Sequence, residues 1–277
     1  MANENNVQQT LWYLRKIYSF KINKHTREIF FKGKSKDGEY KICGNIELNG
    51  IWLNANVEGD IRVNQKTITS IIYSDRTKIF DPIQDYLGGL PVRKGDSAIR
   101  RLANSITLSH QDKKVKYKCG EITYRESFFL LMRRWLISCV ACGLGHGPNH
   151  VCLVLVGGQR LYKTTWLNSL CPTSIPDYRF VGHIEPSTSS GETPNLMAEK
   201  WFINIDDQLE VIFGRDFNSM KSVITIPEIT YRKPYMPMAE RRKRISNFMA
   251  SVNSTSFLVD TENRRYMCFE VEMCNID

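Results

Sequence analysis

The feature that most narrows the fold lies near the middle of the chain. Residues 151–156, "VCLVLV", are apolar without interruption, and "GGQRLYKTT", Gly157 to Thr165, follows at once. A short, Val-rich, unbroken apolar run that stops at glycine reads as a strand buried on both faces. "KTTWLNSLC", which starts at Lys163, reads as a helix. A strand, a tight loop and a helix start are the parts that phosphate binding needs: inward-pointing N–H groups and the positive end of a helix dipole. A lysine then reaches the terminal phosphates, and a hydroxyl holds Mg²⁺. Gly157, Gly158, Gln159, Lys163, Thr164 and Thr165 are therefore predicted to hold a nucleotide, with Lys163 on its phosphates and Thr164 on the metal. The spacing from Gly157 to Lys163 is that of G-x-x-x-x-G-K-[ST], except that Tyr162 stands where the second glycine belongs.

Two more apolar runs extend the pattern. "KWFINIDD" (200–207) and "KRISNFMASVN" (243–253) read as buried strands whose polar residues emerge at their ends. Strands separated by helical segments imply an α/β sheet with helices on both faces, and ligands on such sheets bind at the carboxyl ends of the strands. Asp206 is assigned to the metal and Asp207 to the attacking water, with Glu210 as a substitute for the latter. Asn253 is placed to hydrogen-bond that water or the γ-phosphate. Arg264 and Arg265, in "DTENRRYMCFEV", are candidates to stabilise transferred charge, in their own subunit or a neighbour's. Each residue alone also has a duller reading: a helix cap for the aspartates, a turn for Asn253, a solvated basic turn for the arginines.

The remainder is less constrained. Residues 1–78 read as helices around a β-hairpin, "YSFKINKHTREIFFKG", and suggest a small α+β, winged-helix-like module. Residues 79–148 read as a helical linker region that opens on the Pro- and Gly-punctuated "FDPIQDYLGGLP". "DSAIRRLANSITLS" and "TYRESFFLLMRRWLISCVACG" are its helices, and residues 149–277 form the core with the phosphate loop. The most apolar helix, Phe128 to Gly143, is too short to span a membrane and carries Arg133 and Arg134. No signal peptide is apparent, so the expected location is cytoplasmic. Cys139, Cys142, His146 and His150 have a zinc-like spacing, but the cysteines fall in a helix and the histidines in a Gly/Pro turn. The net charge of +9 points to a polyanionic partner, nucleic acid first. "YRKPY" (231–235) and "ERRKR" (240–244) add to that charge, either facing DNA or as a solvated face.

"VLVGGQRLYKTTWLNSLCP", "FINIDDQLE", "YRKPY", "RISNFMASVNSTSFLVDTENRRY" and "FDPIQDYLGGLP" together resemble the virulence-associated E family of phages and mobile elements, which is related to superfamily 3 helicases and primase-helicases. The resemblance covers roughly residues 75–277. It implies a P-loop NTPase core of AAA+ type that binds ATP and Mg²⁺, assembles as a homo-oligomeric ring and moves along DNA during replication. Carried over by motif, Lys163 and Thr164 are Walker A, Asp206 and Asp207 Walker B, Asn253 the sensor, and Arg264 and Arg265 the family's basic pair. Family loops read close to G-x-Q-G-x-G-K-[ST], whereas Arg160 and Tyr162 replace both internal glycines here. Those glycines permit φ > 0, where a bulky residue costs about 1–2 kcal/mol. Family members often continue past the arginine pair, so the chain reads as a short form or a fragment. Two readings stay open: a helicase-type ATPase, or a non-hydrolysing relative that keeps the fold as a DNA-binding or interaction module.

Overall fold

The computed structural model describes residues 4–35, 38–92, 95, 97–118, 120–188, 192–206, 209–231, 238–254 and 264–276. The chain divides into two compact units after Asp85.

In the first unit the helix Glu4–Ile17 leads into the hairpin Tyr18–Asn23 and Ile29–Gly33, paired antiparallel. Asn23 closes the turn: its side-chain oxygen accepts from the backbone N–H of His25 at 2.8 Å and of Thr26 at 3.2 Å, the local bonding that makes Asn a turn former. Lys41–Ile42 and Lys78–Phe80 extend the sheet on either side, the latter parallel to Tyr18–Asn23. Alternation sends Tyr18, Ile22, Ile29 and Phe31 to one face, where they form a core with Leu14 and with Ile51, Ala55, Ile68 and Ile72 of the helices Asn45–Val57 and Gln65–Ile72. Asn64 caps the second of these helices, accepting from the Thr67 N–H at 2.8 Å. The hairpin lies where the sequence predicts it, with helices on either side of it in the chain. The parallel strand Lys78–Phe80 is additional.

The second unit takes in residues 86–148 as well as the expected core. Its main sheet has six strands in the order Ile106–Leu108, Tyr266–Cys274, Cys152–Val156, Asn247–Val252, Phe202–Asp206, Arg179–Val181. The last five run parallel, and only Ile106–Leu108 is antiparallel. "DSAIRRLANSITLS" is thus half helix, Ser97–Asn104, and half strand. The strand forms because buried Ile106 and Leu108 pair with the long Tyr266–Cys274 strand.

Both faces of this sheet are covered. Cys152, Val154, Ile203, Ile205, Phe248 and Ala250 pack against Leu196 and Met197 of the helix Thr193–Glu199 and against Met220, Val223 and Ile224 of the helix Leu209–Thr225. Opposite them, the helix Tyr124–Gly143 sets Phe128 edge-on to Phe269 at 4.7 Å and Trp135 against Phe202. The strand predicted over 243–253 is only Asn247–Val252; Glu240–Lys243 belongs to a separate hairpin with Glu228–Tyr231. Between the two lies Arg244, 1% exposed, whose guanidinium donates to the carbonyls of Val223, Ile224 and Asn149 at 2.7–3.0 Å. A cation there satisfies the terminal carbonyls of a helix and complements its dipole. This arginine of the basic run is therefore structural. Lys243 reaches the Gly145 carbonyl and Arg241 pairs with Glu228.

Candidate functional site

Parallel pairing brings three strand tips to one edge. Val252 lies beside Val156, and Asp206 beside Ser251, so the loop from Gly157, the carboxylate of Asp206 and the turn at Asn253 meet. Gly157 is fixed there by close approach. Its N–H donates to Val252 O at 3.1 Å, and a Cβ on it would stand 2.5 Å from Val271 O and 2.9 Å from Leu161 Cδ1. The other end of the loop is tied by Cys274 N–H to Leu161 O, 3.1 Å.

The two bulky replacements behave as the missing glycines require. Arg160 has φ 65° and Tyr162 φ 57°, both left-handed. Tyr162 immediately precedes the helix Lys163–Ser169, its carbonyl accepts the helix's first bond from Trp166 N–H at 2.9 Å, and the residue is 54% exposed. Lys163 is buried, its ammonium donating to the carbonyls of Gly157 at 2.6 Å and Gly158 at 2.5 Å.

One residue on, Thr164 Oγ1 donates to Asp206 Oδ1 at 2.6 Å, and Ser251 Oγ donates to the same oxygen at 2.5 Å. Each hydroxyl has one proton. With both protons on Asp206, the 3.1 Å approach of Thr164 Oγ1 to Ser251 Oγ is a contact between acceptors, and their remaining lone pairs are available to a cation. One carboxylate and two hydroxyls are hard oxygen donors of the kind that suits Mg²⁺ rather than zinc. Among the described residues no cluster of three or more His, Cys, Asp or Glu could hold a metal ion. Cys139 and Cys142 are buried instead: Asn149 Nδ2 donates to Cys139 Sγ, and Cys142 Sγ lies 3.6 Å from Arg244 O. Burial pushes both thiols above their ordinary range.

A cavity of about 270 Å³ opens beside these groups, lined by Gln159 to Thr165, Ser251 and Asn253. Gly157, Gly158, Gln159, Lys163, Thr164, Thr165, Asp206 and Asn253 are thus brought together. Asp207 lies outside the described residues, as does the side chain of Glu210. Arg264 and Arg265 are not in the cluster. The Arg265 carbonyl accepts from Cys152 N–H, and Tyr266 pairs with Cys152, so the pair sits at the start of the central strand. The loop is at that strand's other end, about 16 Å away at about 3.3 Å per residue. Ser251 is the residue that the sequence reading missed. It has the same strand parity as Asn253, two residues on, and only the register against Asp206 reveals it.

Residues 113–277 match the model of the virulence-associated protein E-like domain, more than half the chain. No curated protein matches. Among solved structures, the apo structure of the NrS-1 C-terminal region (305–718) aligns with 98% of this chain at 12% identity and TM-score 0.56. An A-form apo structure of the same region aligns at 15% identity and TM-score 0.55. This chain spans 62–63% of those chains. At such identity the likeness is one of fold.

Proposed function

Because the chain belongs to the virulence-associated protein E-like family, we propose that it is a P-loop ATPase of helicase type that acts on DNA in the replication of a phage or mobile element. The observation that carries this reading is the joining of Lys163, Thr164, Asp206 and Asn253 at the carboxyl tips of three adjacent parallel strands. The strand order supports it too. The Asn247–Val252 strand lies between the loop strand and the Asp206 strand, so Asn253 is set between phosphate loop and carboxylate, where a hydrolytic water has to be oriented.

In this mechanism Lys163 leaves the Gly157 and Gly158 carbonyls for the β- and γ-phosphates of ATP. The first-turn N–H groups of its helix, which have no intrahelical acceptor, face the same anion. Thr164 and Asp206 would hold Mg²⁺, which neutralises phosphate oxygens as charge develops. Ser251 keeps the Asp206 carboxylate aimed. Arg264 and Arg265 reach a nucleotide only across a boundary between copies, which is why we include a homo-oligomeric ring in the proposal. The test is ATP binding and phosphate release by the full chain with and without DNA. Magnesium-dependent hydrolysis stimulated by DNA is expected, and a chain that binds no ATP would falsify the reading.

A second reading rests on a specific observation: left-handed conformations at two bulky loop residues, with the lysine bonded to the loop's own carbonyls. That arrangement suits a relative that keeps the fold and no longer hydrolyses. Arg160→Gly with Tyr162→Gly separates the two. The two glycines remove about 1–2 kcal/mol of strain at each position, about 2–4 kcal/mol in all; only the part that the unliganded loop escapes reappears as affinity, and a gain of at least about tenfold, about 1.4 kcal/mol, is expected. Weaker binding by the double variant would show that Arg160 and Tyr162 are working contacts to the nucleotide.

A further inference from the structure

Within the first unit, the helix residues of the core pack on the Tyr18, Ile22, Ile29 and Phe31 face of the sheet, and among the described residues of that core none lies on the other face. On that other face, register places Lys21 opposite Phe30 on one side and opposite Lys78 on the other, with Lys32 and Phe80 one step away. Tyr40 lies over the same face, its hydroxyl 2.7 Å from Ser19 Oγ. Lys21 Nζ stands 4.1 Å from the Phe80 ring centre, 4.4 Å from Tyr40 and 5.8 Å from Phe30. Lys32 Nζ is 5.3 Å from Tyr40, and Phe30 meets Phe80 edge-on at 5.3 Å. Lys78 is exposed and the other five are half-buried.

This composition runs against sheet stability. Lysines directly opposite one another on adjacent strands repel, and the half-buried rings of this face are not among the first unit's core residues; they meet the lysines in cation–π contacts without supplying a negative charge. Among the described residues no carboxylate pairs with Lys21, Lys32 or Lys78, and the strand positions of this face (19, 21, 23, 30, 32, 42, 78, 80) include no acid. An external polyanion would supply the missing countercharge. The rings specify which one. Unpaired bases stack on aromatic faces while lysines take the phosphates between them; a duplex keeps its bases stacked internally and offers the rings nothing.

We infer that this face of the first-unit sheet is a binding platform for single-stranded nucleic acid, with Phe30, Tyr40 and Phe80 as stacking surfaces and Lys21, Lys32 and Lys78 as phosphate contacts. On binding, phosphates draw the ammonium groups off the rings and bases occupy the space they leave. The platform extends the nucleic-acid part of the proposed function, on residues separate from the nucleotide site.

The experiment titrates fluorescent oligothymidine, oligouridine and a duplex of equal length with the full chain, over a range of salt. It compares wild type with Lys21→Gln/Lys32→Gln/Lys78→Gln and with the same three positions as arginine. Thermal melts verify that the variants fold. The glutamine variant is expected to bind either single strand about tenfold more weakly at low salt. Its slope of log affinity on log salt should be shallower by about 2, since each phosphate no longer neutralised removes about 0.7. The arginine variant should retain both affinity and slope. Photocrosslinking of a halouridine-containing strand should label Tyr40 or Phe80. Comparison of the two single strands tells DNA from RNA as the source. Wild-type binding unchanged by the glutamine substitutions, or equal affinity for duplex with no crosslink to this face, overturns the platform while leaving DNA binding by the chain intact. No binding of any nucleic acid by wild type overturns both.

Discussion

Lys163→Ala is expected to lower the rate of ATP hydrolysis by about three orders of magnitude. An ammonium about 4 Å from a phosphate charge contributes about 4 kcal/mol at an effective dielectric constant near 20, and each 1.36 kcal/mol is a factor of ten. Alanine also empties the space in which the aliphatic stem is buried and leaves two loop carbonyls without their donor. Lys163→Met is therefore the sharper variant, since it keeps the stem and removes the charge. Both substitutions should lower hydrolysis to the same extent, while methionine should melt closer to wild type. Binding and hydrolysis measured together decide the outcome. If Lys163→Met hydrolyses ATP at the wild-type rate, the lysine is a loop brace bonded to Gly157 and Gly158 and the phosphate role is wrong.

The legible parts of this site are those in which one local segment carries the whole signal. An apolar run ending in Gly157, with a lysine six residues on, specifies strand, loop and helix without distant partners. "FINID" does the same for Asp206. Even the backbone of Arg160 and Tyr162 could be anticipated, because the positions are defined by the glycines they replace, and both take positive φ. What stayed hidden depends on pairing between remote segments. Ser251 belongs to the site only because Asn247–Val252 lies in register with Phe202–Asp206. Gly157 is indispensable because Val271, more than a hundred residues later, passes 2.5 Å from where its Cβ would stand. Ile106–Leu108 follows a helical pattern with no break, and becomes a strand through its antiparallel partner alone.

Charge was the least legible property. "ERRKR" is a basic run in sequence, yet Arg244 is enclosed by helix-terminal carbonyls while Arg241 and Lys243 have partners on neighbouring segments. The lysines of the first-unit platform are scattered over the chain at positions 21, 32 and 78 and form no run at all. They converge only when a hairpin and a parallel strand assemble beside each other. A window along the sequence counts the first group as a patch and overlooks the second.

Asp206→Asn should have the second large effect, on the metal rather than on the fold. Asparagine keeps Oδ1, so Thr164 and Ser251 can still donate to it as they do to the carboxylate at 2.6 and 2.5 Å. What it removes is the negative charge that a divalent cation requires. Stability should change little, by about 1 kcal/mol, the scale of one hydrogen bond weakened from charged to neutral. Metal affinity should fall by more than about 100-fold, because loss of even a supporting partner costs up to that much and Asp206 would touch the ion itself. Mn²⁺ titration by electron paramagnetic resonance in the presence of ATP reads the affinity, and phosphate release reads the consequence. Ser251→Ala removes one of the two donors that aim the carboxylate and leaves the charge in place, so its loss should be about tenfold and should be compensated by added metal. Asp206→Asn should not be rescued in that way to the full rate, because metal that does bind lacks the carboxylate that positions it against the phosphates. Retention of normal metal-dependent hydrolysis by Asp206→Asn would transfer the ligand role to Asp207, and the pairing of Thr164 and Ser251 on Asp206 would then be a strand-end brace.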